Sequence, residues 1–586
     1  MSSEHPRPSL NPGRSEFLQI RRGGGLYIDK THHFRSLLAP ESEDAPTLRN
    51  PYVFLARPRR FGKSLLVTTL EAFFQGEVPL APRYLNGHSP PQILSKVELF
   101  RATAAADTAE SQGFHPVVRL NMANPPADAP EELKANLLEM LGNQYTQWNR
   151  RGVDVGLEPV NESGLVRFPT DPAVSPAQRL EELVIQLKAR YGTNPVVLVD
   201  EYDAPLVHLL GKKADPEPIL DTLRNFYVKL KSLENQLHFV FVTGITRFAR
   251  VSLFSALNNL WDISWEPAYA TLCGFTEQEV RTALRPHLAT GAAHLNVSLE
   301  ELMGKVRRHY NGYCFGFPED SESVYNPYTL ACCLRDMQNR SDVRRWTVTG
   351  WPNHWAVSGN PMFLIRLMKE GQYPLPADPP PWNNLMTTTY SLDRVDFVSL
   401  MCQTGYYTLR QDTDGDLYLD YPNDEVRRTY SHELLETYRR PPDLRTLQAM
   451  YRTLANNDYQ GYQGFCNLLH TFLAGIPSEK LRRETDCHLV LHVLCQLMQV
   501  EFQSEVHQGG GRSDMEVRFP GHVCVMEFKY GESPQVALDQ IRSHDYGRRH
   551  FGGERRVVAL GLNFVPGTGE EPPRVQFVFE DRYRPD

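Results

Sequence analysis

The chain has 586 residues, 41% of them apolar and 23% charged, and a formal net charge of −8. That length exceeds one hydrophobic core and points to about three or four domain-sized units. The mild acidity excludes coating of nucleic acid by bulk charge and leaves only a local basic surface for that purpose. Nine cysteines without a CxxC pair exclude a zinc ribbon and a disulfide framework, which fits reduced thiols in the cytoplasm. No run of about 18 apolar residues is present to cross a membrane.

In chain order, residues 1–16 lack an apolar stretch and read as a disordered tail rather than a signal peptide. Residues 17–265 alternate strand-like runs (YVFLA, PVVRLNM, NPVVLVDEYD, LHFVFVTGI) with amphipathic helical segments. This is the α/β pattern of a parallel sheet wrapped by helices. Directly after YVFLA comes RPRRFGKSLL, residues 57–66. In a phosphate-binding loop the backbone N–H groups at the helix start cradle phosphates, the Lys reaches the β and γ phosphates and the Ser holds magnesium. Gly62, Lys63 and Ser64 match that pattern, whereas Arg57 stands where the first Gly belongs. The later run VVLVDEYD ends in Asp200 and Glu201, a buried strand delivering one acid to magnesium and a second, catalytic acid to activate water. Together the two stretches predict an ATP site with bound Mg2+. Arg247 and Arg250 read as structural or solvated arginines, or as fingers completing the site of a neighbour in a homo-oligomer.

Residues 266–440 mix short helices with turns and the proline-rich PLPADPPPWNN, and are expected to form a helical lid and connecting region. A helical lead-in over 441–480 precedes a mixed α/β domain over 481–586. The helix from about Glu484 to Gln499 carries Val490, Val493, Leu494 and Leu497 at i, i+3, i+4, i+7 spacing. His488 and His492, one turn apart, read as packing residues because no HExxH pattern accompanies them.

The stretch GRSDMEVRFPGHVCVMEFK, residues 511–529, reads as two strands joined at Pro520-Gly521. With the turn centred there, residues whose numbers sum to about 1041 face each other, which sets Asp514 against Glu527. Opposed like charges at ~5 Å cost on the order of 3 kcal/mol at an effective dielectric of about 20. A divalent cation between them reverses the sign of that interaction, and hard oxygen ligands suit magnesium. The period of two puts Asp514, Glu516, Glu527 and Lys529 on one face and Met515, Val517, Met526 and Phe528 on a core face. Lys529 then orients water or offsets charge on a transferring phosphoryl group. Arg542, Arg548, Arg549, Arg555 and Arg556 form a candidate phosphate-contacting strip, or are simply solvated.

YIDKT (27–31), FLARPRRFGKSLL (54–66), VVLVDEYDAPL (196–206), VTGITRFARVSLFSALNNL (242–260) and YNGYCFG (310–316) together resemble the AAA-ATPase-like family that is commonly fused to a C-terminal PD-(D/E)XK nuclease-like domain. In that family RPRRFGKS is the signature form, so the resemblance accounts for Arg57. It implies a P-loop AAA-like domain, a restriction-endonuclease-like C-terminal domain, nucleotide contacts by Lys63 and Ser64, and magnesium and water-activating roles for Asp200 and Glu201. It also implies a γ-phosphate sensor at Thr243 and places Tyr27, Asp29 and Lys30 near the nucleotide. Asp514 with Glu527-x-Lys529 resembles the nuclease motif itself, with Ser513 in place of the Pro for which it is named. In the same domain Glu484 is expected as a further metal ligand, Glu505 lies on the first strand, and Gln540 and Tyr546 match the helix after the Lys strand. Gln540 either contacts substrate or lies on the helix surface. The implied partner is nucleic acid, with DNA as the expected substrate. The alternative is a nucleotide-switched scaffold or signalling protein that binds nucleic acid or a partner without cutting.

Overall fold

The computed structural model describes residues 9–39, 48–84, 92–123, 127–154, 156, 165–168, 174–210, 212, 215–247, 259–339, 343, 346, 351–355, 397–508, 511–567 and 573–583. The proline-rich segment, Arg250 and the side chains of Glu505 and Arg512 lie outside that description. The chain divides into two compact units, Met1–Leu367 with Pro381–Asn423, and Met368–Pro380 with Asp424–Asp586.

The first unit is built on a parallel sheet of β1 (Tyr52–Ala56), β2 (Val117–Asn121), β3 (Val196–Asp200), β4 (Phe239–Gly244) and β5 (Trp261–Asp262), in the order β2-β3-β4-β1-β5. Every residue of β1, β3 and β4 is buried. That follows from helices covering both faces of a parallel sheet, which is why these strands read as unbroken apolar runs. The strand expected from each of the four runs is present. The two-residue β5 was not expected, because Trp261–Asp262 has no apolar run to announce it. Helices α1 (Phe17–Arg22), α2 (Lys63–Gln75), α3 (Pro130–Arg150), α4 (Pro176–Tyr191) and α5 (Glu217–Ser232) belong to this layer. The order places β4 between β1 and β3, so the end of β4 lies between the phosphate loop and the two acids.

Residues 9–16, expected to be part of a tail, are fixed on the first unit. Ser9 bridges Gly25, the Phe17 N–H donates to Thr68 Oγ1 at 3.1 Å, and Thr68 Oγ1 donates to the Ser15 carbonyl at 2.6 Å. The region after the sheet, residues 266–440, holds α6 (Glu277–Ala283), α7 (Arg285–Leu295), α8 (Leu299–Tyr310) and α9 (Pro327–Met337) around a core that includes Leu288, Val306, Tyr310 and Leu334. It also contains a β-hairpin, β6 (Thr408–Gln411) with β7 (Leu417–Asp420), so it is not helical throughout.

The continuous stretch of the second unit starts at Asp424, earlier than the expected boundary near 440. Its helices α10 (Asp424–Tyr438), α11 (Leu444–Ala455), α12 (Tyr459–Leu473) and α13 (Glu484–Met498) precede β8 (Glu501–Gln508), β9 (Gly511–Arg518), β10 (His522–Tyr530), α14 (Pro534–Ser543), β11 (Arg556–Val565) and β12 (Arg574–Tyr583). The sheet runs β12-β11-β10-β9-β8, with β10 and β11 parallel and the other pairs antiparallel. Met515 and Phe528 meet α13, through a 3.7 Å contact of Cys495 Sγ with Met515 Sδ and an edge contact of His488 with Phe528. The opposite face is also covered. Val523, Val525, Val557 and Ala559 pack under Leu538, Ile541 and Tyr546. The expectation of one core face and one charged face is therefore corrected: the face that carries Glu516 and Glu527, both buried, is itself covered by α14, and Asp514 and Lys529 on it are only partly exposed. A Cβ at Gly561 would lie 2.4 Å from the Pro534 carbonyl oxygen, so this glycine lets α14 begin directly on the sheet.

Candidate functional site

In the first unit the loop between β1 and α2 turns through two left-handed residues, Arg60 (φ 67°) and Gly62 (φ 93°). A Cβ at Gly62 would meet nothing within 4 Å. Glycine is therefore favoured by conformation rather than crowding, and open space remains in front of the loop. Lys63 begins α2, is buried, and donates from Nζ to the carbonyls of Arg57 and Pro58, each at 2.9 Å. Burial lowers its pKa, and the negative charges of Asp200 and Glu201 pull it back up. Asp200 is buried, with Oδ1 accepting the Glu201 N–H at 3.0 Å. Glu201 sits at φ 51°, a strained position for a non-glycine residue of the kind that clusters at functional sites. Burial raises its pKa and Lys63 opposes the rise.

Two cavities meet at Ser64. One, of about 480 Å³, is lined by Tyr27, Lys30, Gly62, Lys63, Glu201 and Tyr328 among others. The second, of about 550 Å³, is lined by Asp200, Arg119 and Asn121. Gly62, Lys63, Ser64 and Glu201 are thus brought to one cleft, with Asp200 next to Ser64 on the adjoining side. This donor set fits a magnesium-bound triphosphate: an ammonium and open N–H groups for phosphate, a hydroxyl and a carboxylate for the ion.

The remaining predicted residues are distributed as follows. Thr243 is fully buried and its hydroxyl donates to the Leu55 carbonyl at 2.7 Å, within the sheet. Arg247 forms an ion pair with Asp262. Tyr27 and Lys30 reach the cleft, Lys30 also bonding Glu279 at 2.7 Å. Asp29 is instead a turn former, accepting from the N–H groups of Thr31 and Ala104.

Sequence reasoning passed over Asp203, whose fully buried carboxylate accepts from the N–H groups of Ile245 and Thr246 and from the Thr246 hydroxyl. It locks the turn after β4 beside the acids. Gly244 lies against it, and a Cβ there would come within 2.4 Å of Asp203 Oδ1. The third acid of DEYD was the available signal.

In the second unit the hairpin register is the expected one: Arg518 faces Val523, Val517 faces Cys524, Glu516 faces Val525 and Met515 faces Met526. Asp514 and Glu527 follow directly beyond the last ladder pair and are joined through side-chain atoms instead. The Phe528 N–H donates to Asp514 Oδ2 at 2.6 Å, and the Asp514 N–H approaches Glu527 Oε2 at 3.4 Å. Lys529 Nζ donates to Glu527 Oε1 at 3.4 Å and to the Phe528 carbonyl at 2.7 Å. The Glu527 side chain is 2% exposed. Its pKa is pushed up to about 8, first by burial and then by Asp514, with Lys529 opposing.

Such a carboxyl holds a proton at neutral pH unless a cation neutralises it. Glu484, at the start of α13, responds to the same charges: burial raises its pKa, Lys529 lowers it and Asp514 raises it further. Among the described residues, however, no three His, Cys, Asp or Glu side chains are arranged to hold an ion. The set therefore amounts to two carboxylates, which suits magnesium because that ion usually retains several waters.

The basic strip needs correction. Arg542 pairs with Glu580 and Asp539, Arg548 with Asp545, Arg549 with the buried Glu516, and Arg556 with Asp581. Of the five arginines, Arg555 is exposed and these four carry carboxylate partners. Glu516 is shielded from solvent and also contacts His550 at 2.8 Å, so it is a structural anchor rather than part of an open charged face. Tyr546 is core and Gln540 is half-buried on α14. His492 is a packing residue as expected, its Nδ1 2.7 Å from Ser504 Oγ.

Residues 12–254 match a family described as predicted AAA-ATPase, and residues 482–570 match the PD-(D/E)XK nuclease superfamily. The chain is 29% identical over 574 residues to an uncharacterized protein in the vnfD 5' region of Azotobacter chroococcum mcd 1, covering 95% of this chain and 96% of that one. No solved structure matches. Among the described residues no helix is long and apolar enough to cross a membrane.

Proposed function

From a chain that joins an AAA-ATPase-like domain to a PD-(D/E)XK nuclease superfamily domain, we propose an ATP-binding, magnesium-dependent endonuclease of the cytoplasm that hydrolyses phosphodiester bonds in DNA, with ATP gating access or assembly. One observation carries the reading: the hairpin brings Asp514 and Lys529 each into contact with the buried Glu527.

Asp514 and Glu527 would hold magnesium. The ion, when bound, supplies charge neutralisation at the scissile phosphate and a more acidic water. Lys529, held by the Phe528 carbonyl and Glu527, presents a fixed positive charge to the attacking water or to the phosphoryl oxygens. In the first unit Lys63 would bind phosphate, Ser64 and Asp200 would hold a second magnesium ion, and Glu201 would take the proton of the attacking water. Assembly into a homo-oligomer belongs to this reading, but Arg247 is not offered as its finger because Asp262 occupies it.

A second reading, a nucleotide-switched scaffold that binds without cutting, is favoured by one observation: four arginines of the candidate phosphate strip are engaged by carboxylates. Nicking of supercoiled DNA by the purified chain with magnesium separates the two. The nuclease reading predicts activity in the wild type and its loss in Lys529→Ala. Equal activity in both, or none in either, favours the scaffold.

A further inference from the structure

We propose that Arg57 is a positioning residue for the triphosphate, a buried guanidinium that sets the phosphate loop from inside the fold where other such loops use a glycine. The inference rests on the nucleotide reading above and deepens it.

The residue is 1% exposed, although nothing about an arginine beginning a surface loop requires burial. Its guanidinium donates to three carbonyls, those of Ala56 at 2.9 Å, Ser264 at 2.7 Å and Tyr269 at 2.9 Å. It lies 4.3 Å from the ring centroid of Phe315. Its own N–H donates to the Gly244 carbonyl at 3.1 Å, tying the loop to the end of β4. Nε meets no acceptor among the described residues. Asp262, whose charge it feels, is occupied by Arg247. Three carbonyls and one aromatic face thus hold the buried cation, and burial lowers its pKa to about 10.

The connection to the ligand runs through the main chain. The carbonyls of Arg57 and Pro58 are the two acceptors that hold Lys63 Nζ. Fixing the Arg57 side chain at three points therefore fixes the position from which Lys63 reaches phosphate. The loop is pinned on its other side by Phe61, edge-on to Tyr313 and Phe315 with centroids 4.7 and 5.1 Å away. Phe315 thus touches both ends of the loop, which gives YNGYCFG a physical role: it is the platform on which the phosphate loop rests. Because Arg57 carries no positive φ, the loop makes its left-handed turns at Arg60 and Gly62 instead, and the missing glycine leaves no conformational deficit.

This assignment separates phosphate recognition from recognition of the rest of the nucleotide. Calorimetric titration of the full chain with MgATP and with AMP, which lacks the phosphates Lys63 would reach, tests it. Arg57→Met is expected to weaken ATP at least about tenfold, or about 1.4 kcal/mol, with AMP changed less than about twofold and Arg57→Lys recovering part of the loss. A folded Arg57→Met with an unchanged ATP-to-AMP ratio overturns the proposal. If Arg57→Met fails to fold, Phe315→Leu removes the ring and keeps the three carbonyl bonds. A loss of about threefold in the ratio is then expected, from the size of a cation–π contact, and an unchanged ratio overturns the assignment. A wild-type chain that binds no ATP at all fails the nucleotide reading itself and takes the role of Arg57 with it.

Discussion

The Phe528 N–H grips Asp514 Oδ2 at 2.6 Å, so the strand that carries Glu527 also holds the carboxylate opposite it. Two acids are thereby kept together against their repulsion, which is visible in the upward push that Asp514 gives the Glu527 pKa. An arrangement of this kind trades stability for function. Asp514→Asn retains an acceptor for the Phe528 N–H and removes the charge. In EDTA at about pH 9, above the Glu527 pKa of about 8 so that both carboxyls of the wild type are ionised, this variant is expected to melt at a higher temperature than the wild type, by the equivalent of about 1 kcal/mol, while its magnesium-dependent nicking is lost. A lower melting temperature would mean that the carboxylate stabilises the fold and that the site is not strained.

The nucleotide site separates binding from hydrolysis. Glu201 borders the cleft from a left-handed backbone position directly after Asp200, and among the described residues it makes no bond to the loop comparable to that of Lys63. Glu201→Gln is therefore expected to bind MgATP within about threefold of the wild type and to hydrolyse it at least about 100-fold more slowly, the usual scale for a positioned general base. Single-turnover hydrolysis beside equilibrium binding checks this. Parallel losses in both would make Glu201 a binding or structural residue.

How much of this was legible in the sequence depended on whether the interactions were local. The strands of the first unit announced themselves as apolar runs because both faces of a parallel sheet are buried. The hairpin register followed from a period of two and a Pro-Gly turn, which is why Asp514 could be set against Glu527 by arithmetic. What was not legible involves partners far apart in the chain. Arg549 neutralises Glu516 across 33 positions, so neither an isolated arginine cluster nor an isolated strand pattern reveals that both are occupied. The placement of α14 on the charged face depends on Gly561, 23 residues beyond Leu538 in the core it helps to form. Arg57 looked like a defect in a motif, and its anchoring carbonyls at Ser264 and Tyr269 come from a loop some 200 residues away.

The buried polar chain of the second unit predicts a pH dependence. His492 has Nε2 2.8 Å from Gln496 Nε2 and Nδ1 2.7 Å from Ser504 Oγ, so with the Gln496 amide donating, the neutral ring donates through Nδ1. Burial lowers its pKa to about 3, against 6.5 in the unfolded chain. Below pH 6.5 the unfolded state takes a proton that the native state refuses, so stability present above 6.5 is lost as the pH falls toward 3, at about 1.4 kcal/mol per pH unit from this group. Thermal melts of the C-terminal transition between pH 7.5 and 5 should fall steeply in the wild type and more shallowly in His492→Gln. Equal slopes would show that the ring takes up its proton in the native state.

The account depends most on a dication between Asp514 and Glu527. Titration of the nucleotide-free full chain with manganese, followed by electron paramagnetic resonance, reads that directly, with Asp200→Asn run alongside to identify any ion held instead between Ser64, Asp200 and Glu201. The wild type is expected to bind one manganese ion, displaceable by magnesium, with affinity at least about tenfold weaker in Glu527→Gln. A wild type that binds no ion, or a Glu527→Gln variant that binds it equally well, would contradict the account.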